Sequence, residues 1–334
     1  MRFLAALALL AVSACTTTAP TLPPPARALE QGWSELALDV TPAALSETEA
    51  LGARYGALIY RGGIELKSPN PMFGGWSGIE VDDSGRFVAV SDKGAFMTGA
   101  LTLNAAGDLV GVSDAKIGLM RTTSGNPVEG SKEYDAEDIA RLPDGRYAVS
   151  FEQTHRIDIY DIDGKGPIAA AQAGPPTPQD MGSNEGMEAL ALTDDGDLIA
   201  GREFGADRGR ITQLFRVSLK GDPVIVGTAE MTPNFALVSL RRLPDGDYLA
   251  MERFYLPVIG NKTLLARFSG AAMKAKAPHA VTEKIALLEK PMNLDNFEGL
   301  AVTQLGRVTR LYIISDNNFT PGNKTLIYAF DLAG

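Results

Sequence analysis

Five times between Ser77 and Asp316 the chain writes one pattern: a short apolar run, a turn ending in glycine, a second apolar run, then an acid. The copies are SGIEVDDSGRFVAVSD from Ser77, EDIARLPDGRYAVSFE from Glu137, EALALTDDGDLIAGRE from Glu188, VSLRRLPDGDYLAMER from Val238 and EGLAVTQLGRVTRLYIISD from Glu298. Asp-Gly and Ser-Gly turns between β-type runs predict hairpins. The copies start 60, 51, 50 and 60 residues apart. That period suits four-stranded propeller blades with some long loops. A β-sandwich would explain the alternation but not five copies of one unit. The predicted fold is all-β, a β-propeller of five four-stranded blades, with room for a sixth in residues 33–66 or the long loops.

Further strands are expected at Arg156–Ile162, Thr212–Leu219, Val224–Ala229 and Thr325–Leu332. The last copy then lacks its fourth strand. Residues 57–66, ALIYRGGIEL, are predicted to supply it from the N-terminal side, joining the first and last blades so that no sheet edge stays open.

With 334 residues, 45% of them hydrophobic, the chain can bury one large core. Its net charge of −10 opposes contact with nucleic acid and anionic membrane surfaces and favours cations. One cysteine and two histidines exclude a disulfide framework and leave a zinc site almost no ligands.

The first residues read as targeting sequence. Arg2 precedes an apolar run, Phe3–Val12, too short to span a bilayer as a helix. Val12-Ser13-Ala14-Cys15 resembles a bacterial lipobox, which implies a signal peptide over 1–14 and a lipid on Cys15. An ordinary signal peptide with an incidental cysteine is the alternative. Threonine rather than aspartate follows Cys15, so in a Gram-negative cell the resemblance implies the outer membrane, facing the periplasm. Residues 15–32, with Pro23-Pro24-Pro25, read as an extended tether, and 33–334 as a single propeller domain, expected to be a monomer.

In each hairpin the first strand starts and the second ends at the same edge, so both positions face one mouth of a propeller channel. Aligned on the turn glycine, the first position reads Ser77, Glu137, Glu188, Val238, Glu298; the second reads Asp92, Glu152, Glu203, Glu252, Asp316. The second acid falls seven residues after the glycine in three copies, six in the fourth and ten in the fifth. The expectation is a ring of about eight carboxylates. Such crowding raises carboxyl pKa values unless a cation neutralises it. Oxygen ligands alone favour Ca²⁺, then Mg²⁺. Glu137, Glu188, Glu298, Asp92, Glu152, Asp316 and Asn317 are the candidate metal ligands, with Asn184, Asn296 and Asn318 as nearby neutral oxygens. Acids at strand ends also cap turns, and each residue singly has that structural alternative.

Basic residues share the register. Lys93, Arg202 and Arg253 are candidates for holding an anionic ester, with ion pairing to a neighbouring acid as the alternative. Glu188, Glu203 and His155 are the candidates for acid–base work, although His155 also reads as a plain loop residue, as does His279. There is no GxSxG elbow, HExxH or P-loop, and with two histidines a serine triad has little to draw on.

The set Trp76-Ser77-Gly78-Ile79, Val90-Ser91-Asp92-Lys93-Gly94, Asp135-Ala136-Glu137-Asp138, Asn184-Glu185-Gly186-Met187-Glu188 and Asn296-Phe297-Glu298-Gly299, with Ser315-Asp316-Asn317-Asn318, resembles the phytase-like family, "esterase-like activity of phytase". It spans about residues 55–332. The resemblance implies a propeller, secretion or lipid anchoring, and hydrolysis of esters; it carries no catalytic residue over. The strand-initial glutamate also resembles the metal-ligand glutamate of gluconolactonase-like propellers, which implies a cation at Glu298 or its equivalents. Two functions fit: a Ca²⁺-dependent hydrolase of phosphate or other small esters, and a non-catalytic binding or scaffold propeller of the cell envelope.

Overall fold

The computed structural model describes residues 32–128, 134–173, 186–204, 210–220, 224–274 and 278–333. The signal sequence, Cys15, the tether to residue 31, and Asn184 lie outside the described residues. The repeats fold as five blades. From axis to rim, blade 1 is β5 (Trp76–Val81), β6 (Arg86–Ser91), β7 (Ala95–Leu103) and β8 (Leu109–Leu119), with β1 (Trp33–Glu35) added outside. Blade 2 is β9 (Ala136–Arg141), β10 (Tyr147–Phe151), β11 (Arg156–Tyr160) and β12 (Ala169–Ala173). Blade 3 is β13 (Met187–Leu192), β14 (Leu198–Arg202), β15 (Ile211–Val217) and β16 (Ile225–Glu230), with β20 (His279–Ala280) parallel at its edge. Blade 4 is β17 (Ala236–Arg242), β18 (Tyr248–Leu256), β19 (Gly260–Phe268) and β21 (Glu283–Leu288). Among the described residues there is no sixth blade.

Blade 5 is the expected closure. β22 (Asn296–Leu305), β23 (Val308–Asp316) and β24 (Thr325–Leu332) come from the C-terminal end, and β4 (Leu58–Lys67) pairs antiparallel with β24 from the N-terminal side. β2 (Asp39–Pro42) and β3 (Arg54–Tyr55) both pair with β4. The two ends of the chain are thus held in one sheet. Gly63 makes this possible, because a Cβ there would sit 2.1 Å from the Tyr328 ring and 2.6 Å from the Ala43 carbonyl oxygen.

Four of the five inner hairpins turn alike. In each, the glycine N–H bonds the carbonyl three residues back and the glycine has positive φ: Gly85 to Asp82, Gly145 to Leu142, Gly196 to Thr193, Gly246 to Leu243. This is a type I turn followed by a left-handed residue. The fifth differs: Leu305 pairs directly with Val308, leaving a two-residue turn on Gly306 and Arg307 and longer strands.

The inner strands touch in a closed ring, β5–β9–β13–β17–β22. On its axis Asp138 of β9 meets Arg241 of β17. Nη2 donates to Oδ1 at 2.7 Å and Nη1 to Oδ2 at 2.9 Å. The same carboxylate accepts from Leu190 N–H and the Ser239 hydroxyl, while the guanidinium donates to the carbonyls of Ile79 and Leu190. Both side chains are buried. One ion pair therefore ties β5, β9, β13 and β17 together and blocks the channel.

Two stability outcomes follow from this packing. Gly63→Ala should lower stability by about 1–3 kcal/mol through overpacking against Tyr328, read as a drop in thermal midpoint. Arg241→Met should cost about 3–5 kcal/mol by leaving Asp138 buried and unpaired and by taking the counter-ion from Glu80, 3.3 Å away, whereas Asp138→Leu combined with Arg241→Met should recover the part due to Asp138; chemical denaturation of the two variants and the parent checks it.

Candidate functional site

Every inner hairpin carries a β-bulge at the same place. The register slips between Trp76 and Gly78, Met187 and Ala189, Leu237 and Ser239, and Phe297 and Gly299. In blade 2 Ala136 pairs with Phe151 and Ile139 with Val149, so Glu137 and Asp138 together oppose Ser150. The extra residues are Ser77, Glu137 with Asp138, Glu188, Val238 and Glu298. A bulge re-aims the side chain it carries. Here it places Ser77, Glu137, Glu188 and Glu298 at the channel mouth, while Val238 packs in the core.

The second ring residue sits opposite the residue two before each bulge. Asp92 N–H bonds Gly75 oxygen at 2.8 Å and Glu152 N–H bonds Asp135 oxygen at 2.7 Å. Glu203 stands likewise against Gly186, Arg253 against Ala236 and Asp316 against Asn296. The ten-residue offset in blade 5 therefore reflects its longer hairpin, and Asp316 is a true equivalent. The fourth repeat is corrected: its ring position is Arg253, seven residues after Gly246, and not Glu252. Successive strand residues face opposite ways, and Glu252 turns away to accept a bond from Thr232 N–H at 2.9 Å.

These positions line a cavity of about 190 Å³. Eight carboxylates face it: Asp92, Asp135, Glu137, Glu152, Glu188, Glu203, Glu298 and Asp316, together with Ser77, Asn318 and one cation, Arg253. Asp135 is the ring member that the repeat alignment missed. It stands two residues before Glu137, just ahead of β9, and the two-residue alternation of an extended chain was the available signal. Oxygens of Asp135, Glu137 and Glu152 lie within 4.8 Å of one another, a spacing at which three carboxylates can share one ion. Glu152 is held in place by Gly186 N–H at 2.6 Å.

Arg253 is committed on both sides. Its Nη1 lies 2.9 Å from Glu298 Oε1 and its Nη2 donates to Glu203 Oε1 at 3.2 Å, with Asn296 as a further acceptor. Asn296 in turn donates to Glu298 at 2.8 Å. Burial lowers the Arg253 pKa, but Glu298 and Glu203 outweigh it and keep the guanidinium charged. Among the described residues, the opposite side of the mouth has no such guanidinium in its lining. Burial, then the charges of Glu188 and Asp135, push Glu137 well above the usual carboxylate range. Burial, then Glu203 and Glu152, do the same to Glu188. Asp92 rises to about 7 through burial and the charge of Asp316. Glu298, buried and only partly relieved by Arg253, rises to about 7, as does Asp316 through burial and Glu298.

The other expected site residues divide. Lys93 stands at the rim, 3.4 Å from Asp92 Oδ2, with its ammonium over the rings of Tyr134 and Phe319 at 5.5 and 5.8 Å. Arg202 ends β14, bonds Gln213 Oε1 at 3.1 Å and does not line the cavity. Neither does His155, in the turn after β10. Asn317 orders the loop above the mouth, its Oδ1 accepting from Gly75 N–H at 3.2 Å and Phe319 N–H at 3.0 Å, and its neighbour Asn318 reaches the cavity instead. His279 bonds Thr228 on the outer edge of blade 3.

A divalent ion suits this donor set. The lining is oxygen-rich and free of thiol and imidazole, which selects a hard cation. Moreover, Asp92 Oδ1 is a buried acceptor without a hydrogen-bond partner, and an unmet acceptor of that kind calls for a cation or donor.

Residues 71–319 match the family described as phytase-like, esterase-like activity of phytase. The chain belongs to that family. No curated protein matches it. Among solved structures it is similar to the major allergen Mala s 1 of Malassezia sympodialis, at 16% identity over 87% of this chain and 94% of that one, with a TM-score of 0.43. A structural-genomics target described as a candidate gluconolactonase aligns at 12% identity over 90% of this chain and 95% of that one, TM-score 0.44. The PQQ-bound aldose sugar dehydrogenase of Streptomyces coelicolor aligns at 13% identity over 88% and 98%, TM-score 0.38. Nothing about activity follows from these three.

In this phytase-like propeller the raised carboxyl pKa values have a thermodynamic consequence. The folded chain holds protons that the unfolded chain releases near pH 4. Ion-free stability therefore falls as pH rises from about 4 through 7, each titrating group costing about 1.4 kcal/mol per pH unit. The thermal midpoint in chelator should drop steadily between pH 5 and 8, and millimolar Ca²⁺ should restore most of the loss at the alkaline end. A midpoint that is flat across that range, or indifferent to Ca²⁺, contradicts this electrostatic account.

Proposed function

We propose that the protein is a divalent-cation-dependent hydrolase of small anionic esters, phosphate esters foremost, held at the outer membrane by a lipid on Cys15 and facing the periplasm. The observation that carries the proposal is the cavity itself: among the described residues, eight carboxylates line it and one guanidinium relieves them. Asp135, Glu137 and Glu152, with Glu188 beside them, would hold Ca²⁺, or Mg²⁺ in second place. Asp92 and Asp316 offer oxygens on the neighbouring side. A bound ion supplies positive charge that neutralises the carboxylates and polarises an ester oxygen or a water.

The chain's own groups then have distinct tasks. Lys93 is at the rim, partly exposed, and suits attraction of an anionic substrate. Arg253 is saturated by Glu203 and Glu298, so it orients those carboxylates rather than gripping substrate. Glu188, whose carboxyl burial and its acidic neighbours push up, suits proton donation to a leaving oxygen where it is not itself taken up by the ion, while Glu203, held by Arg253 at 3.2 Å, suits the accepting role. The Asp138–Arg241 plug closes the channel below and limits the cavity to one entrance.

A second reading, a cation-binding module without turnover, is favoured by the placement of His155 away from the cavity, which leaves Ser77 without an imidazole base among the described lining residues. One variant separates the two. Glu137→Gln should weaken Ca²⁺ binding at least tenfold by calorimetry and reduce turnover of a phosphoester such as p-nitrophenyl phosphate at least a hundredfold, with the fold intact by circular dichroism. Tight Ca²⁺ binding with no turnover across phosphate, carboxylate and lactone esters would leave the binding module standing. Turnover that survives excess chelator would sink the metal-dependent mechanism.

A further inference from the structure

The hairpin joining β18 to β19 differs from the turns of blades 1 and 2 at the mouth. Its tip reads Tyr255-Leu256-Pro257-Val258-Ile259-Gly260. Tyr255 is 58% exposed, Leu256 48%, Val258 94% and Ile259 44%. The corresponding turns of blades 1 and 2 are Asp92-Lys93-Gly94 and Glu152-Gln153-Thr154-His155, both polar. Hairpin tips face water by default, and four neighbouring apolar side chains there gain nothing from folding.

The tip is also rigid and raised. The ladder is complete from Arg253–Thr263 through Phe254–Lys262 and Tyr255–Asn261 to Leu256–Gly260. Ile259 N–H closes the turn on the Leu256 oxygen at 3.0 Å. At its base Phe254 packs on Phe235, ring centroids 5.4 Å apart. β18 continues three residues past Arg253, which lines the cavity, so the tip stands about 10 Å above that rung at about 3.3 Å per residue. Lys290 lies alongside Gly260 at the foot of the tip.

We propose that this hairpin inserts into the surface of a phospholipid bilayer and turns the acidic mouth toward the headgroups. The choice of a bilayer as occupant rests on the lipid-anchor reading of Cys15. Seventeen residues separate Cys15 from Trp33, an extended reach of at most about 60 Å, so the domain stays within touching distance of the membrane. An aromatic and three aliphatic side chains at one tip, with a lysine at headgroup depth, match the interface chemically. The neighbouring carboxylates repel a net anionic surface, so the preferred bilayer is zwitterionic.

The test uses the chain from residue 16, which keeps every described strand and the blade 5 closure but carries no lipid, so a failure of the anchor reading is not confused with a failure of the hairpin. Vesicles of phosphatidylcholine and phosphatidylethanolamine are used in chelator, to exclude cation bridging. The chain should co-sediment with them, and a Val258→Trp variant should shift its emission to shorter wavelength and be quenched by brominated lipid, relative to the parent signal from Trp33 and Trp76. Leu256→Ser, Val258→Ser and Ile259→Ser combined should reduce partitioning at least tenfold, while Val281→Ser, at an exposed valine away from this hairpin, should leave it unchanged. An unshifted tryptophan emission, or a triple variant that partitions like the parent, overturns the proposal. So does a chain that binds no vesicles but associates with a protein.

Discussion

The buried pair between Asp138 and Arg241 is the interaction on which this molecule turns. Each partner alone would be a costly buried charge. Together, with backbone donors and acceptors from neighbouring strands completing the shell, they clamp four of the five inner strands at the axis. A five-bladed ring brings its inner strands close, and this pair fills the remaining space with a polar bridge instead of an open pore. What lies above it is consequently a cavity with one entrance.

That closed floor sharpens the electrostatics of the mouth. Eight carboxylates around a blind cavity cannot all ionise in isolation, because burial and mutual repulsion act in the same direction on Glu137 and Glu188. Blade 4 breaks the symmetry. Val238 removes one acid and Arg253 replaces another, so two carboxylates gain a fixed counter-ion, while among the described lining residues those across the mouth have none. The asymmetry divides the ring into a neutralised side and a side that calls for an external cation. Beside the neutralised side, β18 continues upward from Arg253 into the apolar tip, so one strand links the chemistry of the cavity to the surface proposed to meet the bilayer.

Most of the architecture was legible in the repeat. The blade count, the identity of the inner hairpins, and the closing strand near residues 57–66 all follow from glycine turns and apolar runs, since those are local and periodic. Seven of the eight carboxylates were legible too, because the same register delivers them. Two positions are not legible in the repeat. An acid six residues after the glycine makes Glu252 look like the ring member, but the rung at seven holds Arg253. Asp135 precedes the repeated unit, so the pattern does not mark it. Arg202 and His155 are close in sequence to ring residues, yet strand alternation and the turn after β10 carry them elsewhere.

The sequence by itself determined that this chain is a closed five-fold β structure with acids written at matching strand ends, because hairpin turns and period-two alternation are encoded over a few residues at a time. Only the tertiary structure decided which side chains share the cavity, that bulges at Ser77, Glu137, Glu188 and Glu298 aim those residues inward, and that Asp138 and Arg241 meet. Those two residues are 103 positions apart, and nothing local in either segment records the other. Burial, and with it the pKa of every carboxyl in the ring, likewise depends on what the other four blades place around it.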